Sequence, residues 1–269
     1  MNMNKKILIA KSLVRLAREL VSKRGELVIV PEWESLPRNI VSDAEGSSIG
    51  NKTDARFPYE VWAIDLVNMD ENSPEFIRVR NLIQKIQGNP FKKWILWTED
   101  ENVGELERFC REQGLVPDAV NDNVEEVKDF YSANSRKVYA QHYIDHRNVT
   151  VNNLSRAFPP RSDGKKTVYA IDFDGTIAET DNTFPQVEKP IEKIVDFIKN
   201  VIQPDPNREW VLYTCRVGEA ERIAERWCHE NGLYPVAVNS NYRRHGNRKL
   251  NADYYIDDRN VDLSEISVP

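Results

Sequence analysis

The sequence is poor in cysteine and has no long apolar run. Its three cysteines, Cys110, Cys215 and Cys228, are spread over 269 residues, and such an odd, sparse set is typical of a reducing compartment rather than of a disulfide framework. No stretch approaches the ~18 consecutive apolar residues of a membrane span, and Lys11 interrupts the apolar run 7–10 too early for a secretory signal. We therefore expect a cytoplasmic protein without a membrane span.

An excess of basic residues is absent too. With 37 lysines and arginines against 43 aspartates and glutamates, the net charge is -6, which argues against broad, nonspecific binding to nucleic-acid phosphates but does not exclude a local basic patch. Histidine is also scarce. His142 and His146 are four residues apart but fall across a predicted strand end, so a helical zinc pair is not expected.

What the sequence does contain is an internal repeat. Its matching segments keep their order along both halves of the chain: 61–65 and 168–172, 94–98 and 210–214, 110–115 and 228–233, 117–121 and 235–239, 136–137 and 248–249, and 143–149 and 255–261. Chance does not explain that order, so the halves are a tandem duplication. We predict a helix and linker over 1–57, a first domain over 58–155 and a second over 165–269, with a proline- and glycine-containing linker at 158–164.

Within each half, strand-like runs alternate with helical patterns, such as 191–201 and 219–230 in the second. This alternation predicts βαβ units and an α/β fold of two tandem Rossmann-like parallel-sheet domains. A basic amphipathic helix over 4–22 precedes them. A helix of that kind can lie on a membrane, act as a transit segment or dock on a domain or partner, and docking is the commoner case.

The acidic residues of the second half follow predicted strands. An apolar run over 168–171 ends in Asp172 and Asp174, which are followed by a turn at Gly175 and Thr176. Positions i and i+2 of a strand face the same side, so both carboxylates can line one site at the carboxyl end of a parallel strand. Such a site suits Mg²⁺, and an aspartate can also attack phosphorus.

This D-x-D-G-T pattern resembles the first motif of the haloacid dehalogenase superfamily, most members of which are phosphatases. Three later segments resemble that family's remaining motifs in order: Thr214 after an apolar run, Lys249, and the pair Asp257 and Asp258 after another strand-like run. The resemblance implies a Rossmann-like fold and a Mg²⁺-dependent phosphomonoester hydrolase.

The resemblance also implies roles for single residues. Asp172 would be the nucleophile that forms an aspartyl phosphate, and Asp174 the general acid and base. Thr214 would bind a phosphoryl oxygen, and Lys249 would neutralise the charge of nucleophile and phosphate. Arg248 is the alternative for that cation. We interpret the neighbouring Cys215 as a small residue near the site rather than a nucleophile.

Magnesium would be held by four aspartates in this scheme. Asp257 and Asp258 would bind it, one directly and the other either directly or through a water molecule. Asp172 and the main-chain carbonyl of Asp174 would be the further ligands. Without the ion, so many carboxylates would repel a phosphate. Which of the first two binds the metal directly is left open.

Only short insertions are available to cover the site, at 178–190 and 240–248. By resemblance this is a capless type, whose open site suits large substrates or is covered by another domain. The stretch 242–245, Tyr-Arg-Arg-His, either contacts an anionic substrate, including nucleic-acid phosphate, or is a solvated loop.

The first half is a degenerate copy. It keeps counterparts of four site residues: Asp65, Thr98, Lys137 and Asp145. Val67 stands in place of Asp174 and His146 in place of Asp258, so a proton donor and a metal-binding acid are lost. We expect the fold to survive without the chemistry, as a partner domain that covers the open site, fixes a dimer or binds a ligand.

The leading hypothesis is therefore a Mg²⁺-dependent phosphatase that acts on a phosphorylated small molecule or polymer end through an aspartyl phosphate. The alternative is a non-enzymatic binding or assembly protein in which the domains are a scaffold. A homo-oligomer formed through the degenerate domain or the N-terminal helix is a further expectation. The sequence leaves open whether the halves pack within one chain or exchange between chains.

Overall fold

The structure, a computed structural model, describes residues 57–180, 184–241 and 247–266. The predicted helix over 4–22, the linker up to residue 56 and the basic stretch 242–245 lie outside the described residues. No helix within the described ranges is long and apolar enough to cross a membrane.

The first half alternates strands and helices. Its elements are β1 (Glu60–Ile64), α1 (Pro74–Gln87), β2 (Lys92–Leu96), α2 (Val103–Glu112), β3 (Ala119–Val120), α3 (Glu125–Tyr131) and β4 (His142–Ile144). A short strand, β5 (Asn148–Val149), and a kinked 3₁₀ segment, Val151–Ala157, lead to the second half.

The second half repeats this alternation. Its elements are β6 (Thr167–Ile171), β7 (Ala178–Glu179), β8 (Lys189–Pro190), α4 (Glu192–Phe197), β9 (Arg208–Leu212), α5 (Glu219–Glu230), β10 (Ala237–Val238) and β11 (Tyr254–Ile256). A π-helical turn, Ile198–Ile202, extends α4, and a 3₁₀ turn, Leu263–Glu265, follows β11. The predicted helices over 191–201 and 219–230 are confirmed. The insertion after the first motif forms the antiparallel hairpin of β7 and β8.

Helix α1 illustrates how the sequence sets these elements. Ser73 caps it by accepting a hydrogen bond from the Phe76 N–H, and Pro74 occupies the first turn, where its missing N–H costs nothing. Its buried residues recur at helical spacing and face the sheet: Phe76, Val79, Ile83 and Ile86.

Two parallel sheets share one strand order. The first is β3-β2-β1-β4, and the second is β10-β9-β6-β11 with β5 added at its edge. Matching order in both halves is what a duplication predicts. The α/β prediction with two Rossmann-like parallel sheets is confirmed.

Each half lends its last segment to the other. Strand β5 of the first half pairs with β11, and Asn260 of the second half bridges to Tyr143 in β4. Beyond these contacts, Leu154 packs in the core of the second half and Ile266 in that of the first. In the structure, the halves are therefore interlocked within one chain.

The sheets face each other across a shared core. In β1 and β6, the alternate residues Val61, Ala63, Val168 and Ala170 belong to one buried cluster with residues of both halves. The intervening residues pack against the outer helices. Since side chains alternate along a strand, Asp65 and Asp172 fall on the inner face, toward the opposite half.

Candidate active site and its first-half counterpart

The predicted carboxylates of the second half meet at the carboxyl ends of two neighbouring strands. Asp172 follows β6 and Asp257 follows β11, which lie side by side where the strand order reverses. Such switch points are where open α/β sheets bind ligands. Carboxylate oxygens of Asp172, Asp257 and Asp258 lie within 4.8 Å of one another, and this group could hold a metal ion.

The lysine at this cluster comes from the first half. Lys137 Nζ donates to Asp172 Oδ1 at 2.6 Å and to Asp257 Oδ2 at 2.5 Å. All three side chains are buried. The ammonium also lies 4.9 Å from the ring centre of Tyr143, over its face.

The structure corrects the placement of Lys249, which was predicted beside Asp172. Lys249 Nζ instead donates to Asp65 Oδ2 at 2.6 Å and to Asp145 Oδ2 at 2.5 Å, both in the first half. It donates as well to the Trp97 carbonyl at 3.0 Å. Arg248, the alternative cation, contacts Asp122.

The lysine exchange follows from how the two halves pack. Because Asp65 and Asp172 lie on the inner faces of their sheets, the loops of the opposite half are their nearest neighbours. Cys215 follows β9, and its Sγ lies 3.7 Å from the Lys137 carbonyl oxygen. The first-half loop that carries Lys137 therefore runs along the end of β9. A water-sized cavity of about 20 Å³ separates the clusters, and both lysines line it.

Thr176 ties two of the carboxylates together. Its Oγ1 lies 3.3 Å from Asp172 Oδ2 and 3.3 Å from Asp258 Oδ1, and it accepts the Asp258 N–H at 3.0 Å. Sequence reasoning assigned Thr176 to a turn and missed this role. The hydroxyl fixes the position of Asp258 relative to the predicted nucleophile.

Asp174 lies outside the carboxylate cluster and pairs with Arg216. The guanidinium donates to Asp174 Oδ1 from Nη2 at 2.7 Å and to Oδ2 from Nε at 3.0 Å, while Thr180 Oγ1 donates to Oδ1 at 2.6 Å. Arg216 is fully buried between the rings of Phe173 and Phe184. The structure therefore does not bring the Asp174 side chain to the predicted metal ligands.

Arg216 was missed by sequence reasoning, although the repeat carries a signal for it. Where Asp174 becomes Val67 in the first half, the residue aligned with Arg216 is Asp100. The acid and its partner are lost together, which is what a direct ion pair predicts.

Thr214 and Cys215 end β9 at the same edge. Thr214 is buried, its N–H donates to Asn239 Oδ1, and its Oγ1 accepts the Arg216 N–H at 3.1 Å, so its hydroxyl hydrogen can donate to a ligand. Burial raises the pKa of the Cys215 thiol to about 11. A thiol so protonated is a poor nucleophile, as the sequence-based interpretation holds.

The electrostatics of the cluster follow from burial and crowding. Burial raises the pKa of Asp172 to about 6, with Asp257 and Asp174 adding to the rise and Lys137 opposing it. Burial alone would lower the pKa of Lys137, but Asp172 and Asp257 raise it well above its ordinary value. Lys137 is therefore charged at neutral pH.

The first-half cluster has the same plan with one added cation. Oxygens of Asp65, Glu99 and Asp145 lie within 4.8 Å of one another. The Arg147 guanidinium contacts all three: its Nη2 donates to Asp65 at 3.3 Å, to Glu99 at 2.6 Å and to Asp145 at 2.8 Å. With Lys249 present as well, three acids face two bases.

Arg259, the counterpart of Arg147, is directed elsewhere. Its Nη1 donates to the Ala140 carbonyl at 2.9 Å, and its guanidinium lies over the Tyr139 ring. Among the described side chains, Lys137 is the basic group that pairs with Asp172 and Asp257.

Comparisons with known proteins add little. No family model matches the chain, and no curated protein sequence matches it. A solved structure described as "Structure of the conserved protein coded by locus from Bacteroides thetaiotaomicron" is 34% identical, over 38% of this chain and 87% of that chain, with a TM-score of 0.32.

Proposed function

We propose that the protein is a Mg²⁺-dependent phosphomonoester hydrolase whose site is built on Asp172, as its resemblance to the haloacid dehalogenase superfamily implies. One observation carries the proposal. Carboxylate oxygens of Asp172, Asp257 and Asp258 lie within 4.8 Å of one another at the switch point of a parallel sheet, and Lys137 pairs with the first two. Carboxylates so close together repel one another, which is costly unless a cation lies among them.

The donor set fits magnesium. Carboxylate oxygens are the ligands that Mg²⁺ prefers, and the ion usually takes one or two of them and keeps several waters. Asp172, Asp257 and Asp258 would hold it, and the ion would supply positive charge to a bound phosphate. The first-half cluster is a weaker candidate because Arg147 already contacts its three acids.

The reaction would proceed in two displacements. The Asp172 carboxylate attacks phosphorus, the bond to the ester oxygen breaks, and Asp174 gives its proton to the departing oxygen. A water then attacks the aspartyl phosphate and gives a proton to Asp174, while the bond from phosphorus to Asp172 breaks. The products are an alcohol and inorganic phosphate, and both aspartates return to their starting states.

One neighbouring group, Thr214, supports this chemistry, whereas Asp174 must first give up a contact. Thr214 can donate its hydroxyl hydrogen to a phosphoryl oxygen, since its oxygen already accepts the Arg216 N–H. In the structure, Asp174 contacts Arg216 and Thr180. Proton transfer requires Asp174 to exchange one of these contacts for the leaving oxygen, and such adjustments are common when a substrate binds.

The substrate class follows from the shape of the insertion. The stretch after the first motif contributes only the β7–β8 hairpin to the described structure, which is too small to enclose a ligand. We therefore propose that the substrate is a phosphorylated small molecule or polymer end whose remainder stays outside the site. A panel of phosphomonoesters of both kinds would identify it.

Hydrolysis of p-nitrophenyl phosphate tests the activity directly. We expect turnover with Mg²⁺ and its loss with EDTA. Calorimetry should show that Asp257→Ala weakens Mg²⁺ binding, whereas Asp145→Ala, the matched change in the first half, leaves it intact. Activity that EDTA does not affect would contradict the metal requirement. Failure to hydrolyse any phosphate ester would favour the scaffold alternative.

A further inference from the structure

We propose that Lys137, a residue of the degenerate first half, is the catalytic lysine of the second-half site, and that Lys249 has no part in turnover. This inference rests on the proposed function, because it assigns a role within that reaction. It makes the first half a working part of the site rather than a cover for it.

The contacts of Lys137 are those that the reaction demands. Its ammonium lies 2.6 Å from an oxygen of Asp172 and 2.5 Å from one of Asp257. A fixed positive charge beside the attacking carboxylate reduces the repulsion between that carboxylate and an incoming phosphate dianion. Lys137 is only 3% exposed, so this charge is poorly screened by water.

The second half offers no substitute among its described residues. Arg216 is paired with Asp174, and Arg259 donates to the Ala140 carbonyl. Lys249 lies with Asp65 and Asp145. Deleting the Lys137 charge would therefore remove the ammonium that Asp172 and Asp257 share.

The exchange explains a feature of the repeat. The first half has lost the counterparts of Asp174 and Asp258 but keeps Lys137. A lysine serving only its own half would have no catalytic reason to stay once that half was silent. A lysine serving the opposite half does, and the reciprocal Lys249 stays to neutralise the buried Asp65 and Asp145.

Matched lysine variants test the assignment in the full chain. We expect Lys137→Met to lower kcat/KM by about 10²- to 10³-fold, as removal of one charged group at a developing charge does. It should also weaken inhibition by inorganic phosphate, since a charge that meets the phosphate is gone. The double variant Asp65→Asn/Lys249→Met removes one negative and one positive charge together, which keeps the first-half cluster closer to neutral. It should retain turnover within about threefold, an effect of under 1 kcal/mol.

Denaturation of paired variants tests the exchange without relying on activity. Asp172→Asn should be less destabilising when Lys137 is already Met, and Asp65→Asn less destabilising when Lys249 is already Met. The pairs Asp65 with Lys137 and Asp172 with Lys249 should be additive, because their side chains do not meet. Coupling confined to these within-half pairs would overturn the inference.

The outcomes separate the two proposals. If the parent is active and Asp172→Asn is not, but Lys249→Met abolishes turnover and Lys137→Met spares it, the lysine assignment fails while the phosphatase stands. If the parent hydrolyses no phosphate ester, the phosphatase fails and the catalytic role of Lys137 with it. The denaturation cycles still report in that case whether the lysines are exchanged.

Discussion

The two charge clusters of this protein share two aspartates and a lysine, and they differ in the third acid and in one cation. In each, an aspartate after the first strand and an aspartate after the last bind the ammonium of a lysine from the opposite half at 2.6 and 2.5 Å. In the first half, Arg147 adds a guanidinium that contacts all three acids. In the second, the matching Arg259 contacts a carbonyl instead.

Glu99 accounts for the difference between the arginines. It forms two hydrogen bonds to Arg147, and its counterpart in the second half is Cys215, which has no charge to offer. A guanidinium with a fixed fork of donors can bind several carboxylate oxygens at once. Arg147 therefore occupies the place in the first half that corresponds to the proposed metal site of the second.

The comparison shows why a degenerate copy keeps its acids. Asp65 and Asp145 remain buried, and Lys249 and Arg147 neutralise them. Removing one partner of a buried ionic group strands the others, at a cost of about 3–5 kcal/mol. The buried acids of the first half thus contribute to the stability of the fold itself.

The largest expected effect is a difference in turnover between substitutions of Asp172 and of its first-half counterpart, Asp65. Asp172→Asn should abolish phosphatase turnover, whereas Asp65→Asn should leave it nearly unchanged. The first half lacks an acid at Val67 to protonate the leaving oxygen, and general acid help is worth about 10²–10⁴-fold. Steady-state hydrolysis of p-nitrophenyl phosphate measures both variants, with circular dichroism to verify folding. Equal losses in both would mean that the site is shared between Asp65 and Asp172.

A second variant converts the first cluster to the charge pattern of the second. Arg147→Met should destabilise the fold by about 3–5 kcal/mol, because it leaves the buried Asp65 and Asp145 and the half-buried Glu99 with Lys249 alone. Mg²⁺ or Mn²⁺ should then restore part of that stability, and calorimetry should find one metal site more than in the parent.

Arg259→Met is the matched control, since the described side-chain contacts of Arg259 are with the Ala140 carbonyl and the Tyr139 ring. It should gain no metal site. If Arg147→Met responded to divalent ions no more than Arg259→Met does, the guanidinium would not be standing in for a cation.

The framework of both clusters was predictable from the chain. Apolar runs ending in Asp172 and Asp257 predict parallel strands whose carboxyl ends meet, and the repeat predicts the same for Asp65 and Asp145. These predictions depend on local alternation and strand order, which short-range patterns encode.

Which half's aspartates each lysine contacts was not predictable in that way. Lys249 precedes Asp257 at a spacing that suits its own half, and spacing along a chain does not say which side of a sheet a loop crosses. The alternation of Val61, Ala63 and Asp65 contained a hint, since it puts the acid on the same face as residues that pack against the other half. Only the packing of the two halves turns that hint into a contact.

The smallest expected effect concerns pH and separates two acids within the first cluster. Burial raises the pKa of Asp65 to about 6, so the folded chain holds this proton more tightly than the unfolded chain does. The stability that this proton contributes is fully present below about pH 4 and is lost as the pH rises through 6. Asn cannot ionise. Between pH 4 and pH 7, the free energy of unfolding of Asp65→Asn should therefore rise relative to that of the parent by up to about 3 kcal/mol.

Asp145 should behave in the opposite way: burial would raise its pKa, but Lys249 and Arg147 together lower it. Its contribution to the free energy of unfolding is present at neutral pH and lost in acid. Asp145→Asn should therefore be more destabilising, relative to the parent, at pH 7 than at pH 4. Urea denaturation at both pH values measures all three proteins, and parallel pH curves for the parent and Asp65→Asn would show that Asp65 is not held in the raised-pKa state.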